Sequence, residues 1–549
     1  MKTKFSPNDT DNLKNKLEAY LAEHKECTAA IVEPTGEIAD ILSGSDAIRG
    51  YLSGLTEGRA MTPRSWFGEN EAPEALLSQV ISIINSTKVN SPYADVIKQF
   101  TLDYTSKYGP QGGTPPIIDS VELILRGFYP NPVDYSDPLW KQAKQNLIKR
   151  LMLKKTLKPW SYQRVVDDKK FQGKLSRYAG FPTGGKKSNL ENQQKAIKDA
   201  ISGKCFEYPA MILFRYYKGK LRMVWMYPFA MTLKGAAFEA PLMKHLRGLN
   251  MLDFGMWEGF DVIKELLTKA WDPKTQVAFG GDTTAMDDHM QLPQNLEALD
   301  VIKYAFEERY WPELESIIRH ENNIPLLLSS KVMLTGQHGK ASGADFTQMT
   351  ETIYQAIVQE WIALQQPAWK WWSGIGDDYV TGLNGLMKWA GIMTNYYNKM
   401  GLPSKIEKQS DEVGYFTFVQ RLIVSGWKAR GNSKILGGIY SIISALRSLV
   451  YPENWIDPED YPGRFSDMFC TKVAMIVENT VDSPYFEPFV KWAAHKQKDI
   501  IPFAKKAKSE LDHIWKLSKS VRGVGESYNQ EKQDKPISSY ACMAIWRKM

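Results

Sequence analysis

Trp372–Val380 reads WSGIGDDYV. Apolar residues flank Gly376, Asp377 and Asp378, a pattern that predicts two β-strands joined by a tight turn, with glycine tolerating the backbone angles the turn requires. Both carboxylates then sit at an exposed tip. Alone, Gly-Asp-Asp suits an ordinary surface turn equally well. Its weight comes from two segments upstream. Val277–His289 reads VAFGGDTTAMDDH, a short apolar strand running into Asp282, with Asp287 five residues later. By itself this is also a strand followed by a capped helix start. Lys340–Thr352 reads KASGADFTQMTET, the end of a glycine-rich loop leading into a helix with Phe346, Met349, Ile353, Ile357 and Trp361 on one side. Thr347 and Glu351 are four residues apart and share a helical face.

Transfer of a nucleotide needs charge neutralisation on a triphosphate and activation of a hydroxyl. Two divalent ions held by carboxylates supply both. Magnesium takes one or two carboxylates plus substrate phosphates and does not need a full protein cage. Acidic residues on strand ends and tight turns, gathered from separate segments, are the pattern such chemistry demands, and Asp282, Asp377 and Asp378 are its candidates here.

Composition sets the frame around them. The 549 residues are too many for one compact core and suit several subdomains sharing interfaces. A hydrophobic content of 43% with 24% charged residues is that of an ordinary folded protein. The net charge of +7 permits a nucleic-acid partner without demonstrating one. Cys27, Cys205, Cys470 and Cys542 are far apart, so neither a zinc knuckle nor a disulfide framework is suggested. No apolar run approaches the length of a membrane helix, and Met1–Asp11 lacks the apolar core of a signal peptide. A soluble intracellular protein is expected, with no membrane partner.

Helices are predicted over Asn12–Glu26, Glu74–Asn85 and Trp140–Leu157, the last of them basic, and over Leu383–Met400. Breaks fall at Gly109–Pro116 and Tyr129–Asp137. Ala210–Arg215 and Leu221–Met226 read as a β-hairpin carrying Arg215, Lys218, Lys220 and Arg222. Such a basic ribbon suits triphosphates and template phosphates, although four cations on a hairpin also describe a solvated face. The fold class is α+β with more helix than sheet.

In order, DTTAMD, SGADFT and GDD resemble the palm motifs of viral RNA-dependent RNA polymerases. Gly219–Leu242, GKLRMVWMYPFAMTLKGAAFEAPL, resembles the fingers segment of the double-stranded-RNA picobirnavirus and partitivirus polymerases, and DTTAMDDHM is similar to the picobirnavirus form. The resemblance runs from about Gly180 to Ile423. It implies a closed right-hand fold with an antiparallel palm sheet. An N-terminal region, 1–150, would bridge fingers and thumb. Fingers would span 151–240 with part of 290–340, the palm 241–430, and the thumb and tail 431–549.

The resemblance also implies roles. Asp282 and Asp377 would bind two magnesium or manganese ions, with Asp378 supporting. Asp287 would sense the ribose 2′-hydroxyl, and Ser342, Gly343 and Thr347 would position the templating pair and sugar. Arg222, then Lys220 and Arg215, would contact the incoming nucleotide. Within LPSKIEKQ, Lys405 and Lys408 both qualify as general acid for pyrophosphate, with Lys408 preferred. Tyr415–Arg421, YFTFVQR, is similar to the hairpin that supports the growing 3′ end. One departure stands out: Glu351 occupies the position where positive-strand polymerases carry Asn. Two acids facing one sugar repel unless one is protonated or turned away. The implied partners are template and nascent RNA, ribonucleoside triphosphates and capsid protein, for a monomer acting in the virion interior and host cytoplasm. Rival readings are a reverse transcriptase and a non-catalytic RNA-binding relative. The tail ending in YACMAIW is expected to fold into the product cavity.

Overall fold

The computed structural model describes residues 7–404, 406, 409–519 and 535–549. Its strands, in chain order, are β1 (Ala30–Val32), β2 (Ala210–Tyr217), β3 (Lys220–Met226), β4 (Gln276–Asp282), β5 (Leu326–Leu327) and β6 (Met333–Thr335). They continue with β7 (Trp369–Ile375), β8 (Asp378–Asn384), β9 (Tyr415–Phe418), β10 (Arg421–Ala429) and β11 (Asn432–Ile439). Among the described residues they form three sheets, ordered β1-β6-β5-β2-β3, β4-β8-β7 and β11-β10-β9. Helices fill most of the remainder, so the α+β reading holds.

The β4-β8-β7 sheet is antiparallel, and its faces follow the two-residue strand period. Val277 and Phe279 pack with Ile353 and Ile357 of helix Thr347–Gln365. Ala278 and Val380, on the other face, pack with Phe260 and Phe416. Both faces are covered, which is why β4 reads as a continuous apolar run. Two glycines in β4 permit that closeness: a Cβ on Gly280 would lie 2.4 Å from the Thr417 carbonyl oxygen, and one on Gly281 2.2 Å from the Tyr379 ring.

The N-terminal region divides between two cores. Leu13, Leu17, Leu42 and Leu52 lie in the large core shared with β2, β3 and helix Thr347–Gln365. Phe67, Leu76, Val80 and Ile97 instead pack with Leu446, Phe469 and Phe489 of the C-terminal helices. The Gly109–Pro116 break crosses between them as an ordered strap. Gln111 is 1% exposed; its side chain accepts from the Lys218 amide at 3.0 Å and donates to the Tyr451 carbonyl at 2.7 Å.

Several expectations are corrected. The helix predicted over Trp140–Leu157 spans Pro138–Arg150, and the chain then turns through Met152 and Lys155, both with positive φ. The helix predicted over Leu383–Met400 begins only at Ala390, because Leu383 belongs to β8. Leu386, expected on its apolar face, is exposed, whereas Trp389, Met393 and Met400 are buried. The C-terminal YACMAIW does not enter a cavity: Cys542, Met543 and Trp546 of helix Ala541–Trp546 are buried in the C-terminal core. Residues 520–534 of the tail lie outside the described residues.

Candidate active site

Asp282 ends β4 and pairs in register with Asp378, the first residue of β8. Directly opposed residues of antiparallel strands share a face, so two like charges stand side by side. Ile375 pairs with Asp378, leaving Gly376 and Asp377 as a two-residue loop. Gly376 has φ +58°, which suits glycine at the first central position of a hairpin turn. The Asp377 carbonyl accepts from the Thr283 amide at 3.2 Å, tying the turn to the residue after Asp282.

Helix Thr347–Gln365 braces this turn from behind. The Gly376 amide donates to Thr352 Oγ1 at 3.0 Å, and Gln355 Nε2 donates to the Gly376 carbonyl. Gln359 lies one turn further on and donates to Thr381 Oγ1 and the Tyr397 hydroxyl, each at 2.8 Å. Thr352, Gln355 and Gln359 are fully buried.

After Thr284 the chain reverses through Ala285, a non-glycine in the left-handed region at φ +49°. The short helix Met286–His289 follows and returns Asp287 towards the turn. There the Asp287 carboxylate accepts a hydrogen bond from the Glu351 carboxyl. Desolvation, then the charge of Asp287, hold Glu351 well above the ordinary carboxylate range, so Glu351 carries the proton. The two neighbouring acids are thus reconciled by protonation of one. Neighbouring acids are anchored by cations: Asp288 pairs with Arg126, and buried Lys340 pairs with Glu321 while its amide donates to the Asp287 carbonyl at 2.7 Å.

The loop before helix Thr347–Gln365 lies against β3. Ser342 Oγ donates to the Met223 carbonyl at 3.3 Å, and a Cβ on Gly343 would lie 1.7 Å from the Trp225 carbonyl oxygen. Thr347 Oγ1 donates to the Ala341 carbonyl at 2.9 Å, closing the loop onto the helix start.

The carboxyls of this cluster act strongly on one another's surroundings. Protein packed around the exposed Asp377, with the charges of Asp282 and Asp287, pushes its carboxyl up to about 6. Desolvation, then Asp377 and Asp282, push Asp378 up to about 8. Arg222, exposed on β3, opposes the rise at Asp287, Asp377 and Asp378 alike. Lys218 acts on Asp378 too, and its ammonium also bonds Gln420 in the β9–β10 turn. Lys220 is exposed and lies close enough to Lys107 to disfavour its charge. Arg215 is engaged elsewhere, in a two-point ion pair with Glu453 in which Nη2 donates at 2.8 Å.

Among the described residues, no three His, Cys, Asp or Glu side chains close around a common point as a metal group. The donor chemistry nevertheless fits divalent ions. The charge of Asp282 raises the pKa of both Asp377 and Asp378, and Asp377 that of Asp378, an energetic cost that bound cations remove. Lys405 and Lys408 lie outside the described residues. Beside them, Ser404 Oγ and Gln409 Nε2 donate to the Asp282 carbonyl at 3.3 and 3.4 Å. Sequence reasoning missed Thr352 and Gln355, the braces of the turn.

No family model matches the chain. It is 24% identical over 288 residues to the potential RNA-dependent RNA polymerase of a human picobirnavirus, a match covering 51% of each chain. The chain thus spans about half the length of the curated relative it matches. Among solved structures it is similar to the crystal structure of the RNA-dependent RNA polymerase of a human picobirnavirus, with a TM-score of 0.76 at 18% identity over 94% of this chain and 99% of that one. An insertion-loop deletion mutant of a human picobirnavirus polymerase gives a TM-score of 0.75 over the same shares. No described helix is long and apolar enough to cross a membrane.

Proposed function

The chain has the right-hand fold of the human picobirnavirus RNA-dependent RNA polymerases, and on that premise we propose that it is itself a viral RNA-dependent RNA polymerase serving a double-stranded RNA genome. The observation that carries this reading is the in-register pairing of Asp282 with Asp378 beside the Gly376–Asp377 turn.

Asp282 and Asp377 hold the divalent ions, magnesium or manganese, with Asp378 supporting. When bound, these ions neutralise charge on the triphosphate and favour the ionised form of the attacking 3′-hydroxyl. Arg222, with Lys220 behind it, grips the triphosphate of the incoming ribonucleotide; a guanidinium suits that bidentate task. The Asp287 carboxylate accepts from the ribose 2′-hydroxyl, and Glu351 keeps it oriented by donating its own proton. Ser342, Gly343 and Thr347 set the loop against which the templating pair rests. Lys408, or Lys405, protonates the departing pyrophosphate, a task a lysine near its normal pKa can perform. Most of the acceleration comes from positioning and electrostatics. Work as a monomer inside the virion and the host cytoplasm, beside capsid protein, belongs to the same reading.

A primer-free extension assay on single- and double-stranded RNA tests it. The expected result is ribonucleotide incorporation that requires magnesium or manganese and disappears in Asp377→Ala, with RNA binding retained. Preference for deoxynucleotides would point to a reverse transcriptase. RNA binding with no incorporation under either metal would point to a non-catalytic relative.

A further inference from the structure

A cleft of about 750 Å³ lies under the C-terminal turns of helix Phe229–Gly248, bounded on its other side by residues 156–164. None of the site's carboxylates, Asp282, Asp287, Asp377 or Asp378, is among its lining residues. Gly235 of the same helix sits beside Asp345, in the loop before helix Thr347–Gln365, and Lys244 and Gly248 lie roughly 13 and 20 Å further along the axis at 1.5 Å per residue. The floor includes Pro159, Trp160, Pro241 and Leu249, and the rim carries Lys158, Arg164, Lys244 and His245. No Asp or Glu lines it. The basic stretch 149–158, KRLMLKKTLK, leads directly into it.

We propose that this cleft is a second site for single-stranded RNA, one that holds a strand outside the catalytic centre. Arg164 lies over the Trp160 ring, its guanidinium carbon 3.9 Å from the centroid. That stack offers a planar, positively charged surface on which an unpaired base can lie. Arg164 and Lys244 are exposed and make no ion pair among the described residues, so both can reach phosphates. Lys158 reaches Glu307 at 3.3 Å but remains 62% exposed. The carbonyl end of helix Phe229–Gly248 disfavours a concentrated triphosphate. Phosphodiesters, one charge per nucleotide, are instead met singly by long side chains. Naming the strand as RNA rests on the polymerase reading; the fit to bases and spaced phosphates does not.

The test compares full-length wild type with the double variant Arg164→Gln/Lys244→Gln. Fluorescence anisotropy measures affinity for single-stranded RNA against salt, and extension is measured at saturating RNA. The double variant should bind about tenfold more weakly, with a salt slope lower by about 1.4, the loss of two phosphate contacts on a single strand. Its extension rate at saturating RNA should match wild type. Lys244→Glu, a single change on an exposed side chain, must weaken binding in the same direction, which guards against a folding defect. Unchanged affinity and slope in both variants would overturn the proposal. So would binding restored to equality by excess free nucleoside triphosphate, which would make a free nucleotide the occupant. Absence of extension in the wild type would instead count against the polymerase reading and leave the affinity comparison standing.

Discussion

Glu351 donates its carboxyl proton to the carboxylate of Asp287, and its Oε2 also lies 3.3 Å from where a Cβ on Gly376 would be. One buried acid therefore stands between Asp287, the proposed ribose-sensing residue, and the Gly376–Asp377 turn. A neutral carboxyl offers one donor and one acceptor, much as an amide does. Glu351→Gln keeps the donor and should keep kcat/KM within a few-fold, with selection for ribonucleotides preserved. Glu351→Ala leaves Asp287 without its partner, a loss of about 1–3 kcal/mol. Incorporation should then fall about 10–100-fold, with weaker discrimination against deoxynucleotides. Equal behaviour of the two variants in single-nucleotide kinetics would remove Glu351 from the site.

On the proposed metal role, the raised carboxyls make magnesium binding depend on pH. Asp377 titrates near 6 and Asp378 near 8, against about 3.9 in an unfolded chain. Between these values the metal-free fold binds more protons than the unfolded chain, so its stability falls as pH rises through that window. Magnesium must displace the same protons, and its affinity therefore grows with pH. Melting with and without magnesium should show a small rise in Tm at pH 6 and a larger one at pH 8. Asp282→Asn/Asp377→Asn should abolish the magnesium-dependent rise at both. A magnesium effect that shrinks towards pH 8 would contradict the assignment.

Two side chains behind the turn offer a test that touches no substrate group. Thr352→Val removes the acceptor of the Gly376 amide, and Gln355→Leu removes the donor to its carbonyl. Each leaves a buried backbone group unpaired, at about 1–3 kcal/mol. The expected signature is a fall in kcat of about tenfold or more with KM for nucleotide little changed, because the turn carries Asp377 and not the nucleotide pocket. A change confined to KM would place these residues elsewhere in the reaction.

One of these braces, Gln355, was legible in principle. Thr347, Glu351, Gln355 and Gln359 recur every fourth residue on a helix that is buried on nearly every side. Such a polar stripe along one face has to meet something polar. Beyond Glu351 the stripe continues to Gln355, which holds the turn, and to Gln359, which holds Thr381 of β8. The turn and β4 were readable because their signals are local: apolar runs, paired glycines and an acid at the strand end. What Arg215 binds was not, since Glu453 lies 238 residues away and no spacing reports it. The sheet of β9, β10 and β11 was only partly visible. Polar residues fill much of β11, and the β10–β11 register shifts between Ile423 and Lys428, so the two-residue alternation is broken.

Gly281 shows how tightly the acidic end of β4 is constrained. Tyr379, whose ring occupies the space a side chain would need, is fully buried and stacked on Tyr397 at 4.3 Å and 8°. It has no room to retreat. Gly281→Ala should cost about 1–3 kcal/mol of stability by overpacking and displace Asp282, so that magnesium-dependent incorporation drops further than Tm alone explains. A variant with wild-type Tm and wild-type incorporation would mean that β4 can shift without disturbing its terminal carboxylate.

Arg222 and Arg215 face each other across the β2–β3 ladder, yet the structure gives them different surroundings. The charge of Arg222 reaches Asp287, Asp377 and Asp378, whereas Arg215 is bound to Glu453 beyond β11. Arg222→Ala should therefore raise KM for nucleotide about 10–100-fold, the loss of a charge-assisted contact worth about 1.5–3 kcal/mol, with Tm nearly unchanged. Arg215→Ala should act in the opposite sense. It frees a half-buried Glu453, loosens the tie between the hairpin and the C-terminal core, and lowers Tm and RNA affinity before it affects KM for nucleotide. Glu453→Gln should reproduce the Arg215→Ala phenotype and add little to it in the double variant, the mark of two groups acting as one. If Arg215→Ala instead raised KM alone, as expected for Arg222→Ala, the Glu453 pair would have to open during synthesis and release Arg215 to the nucleotide.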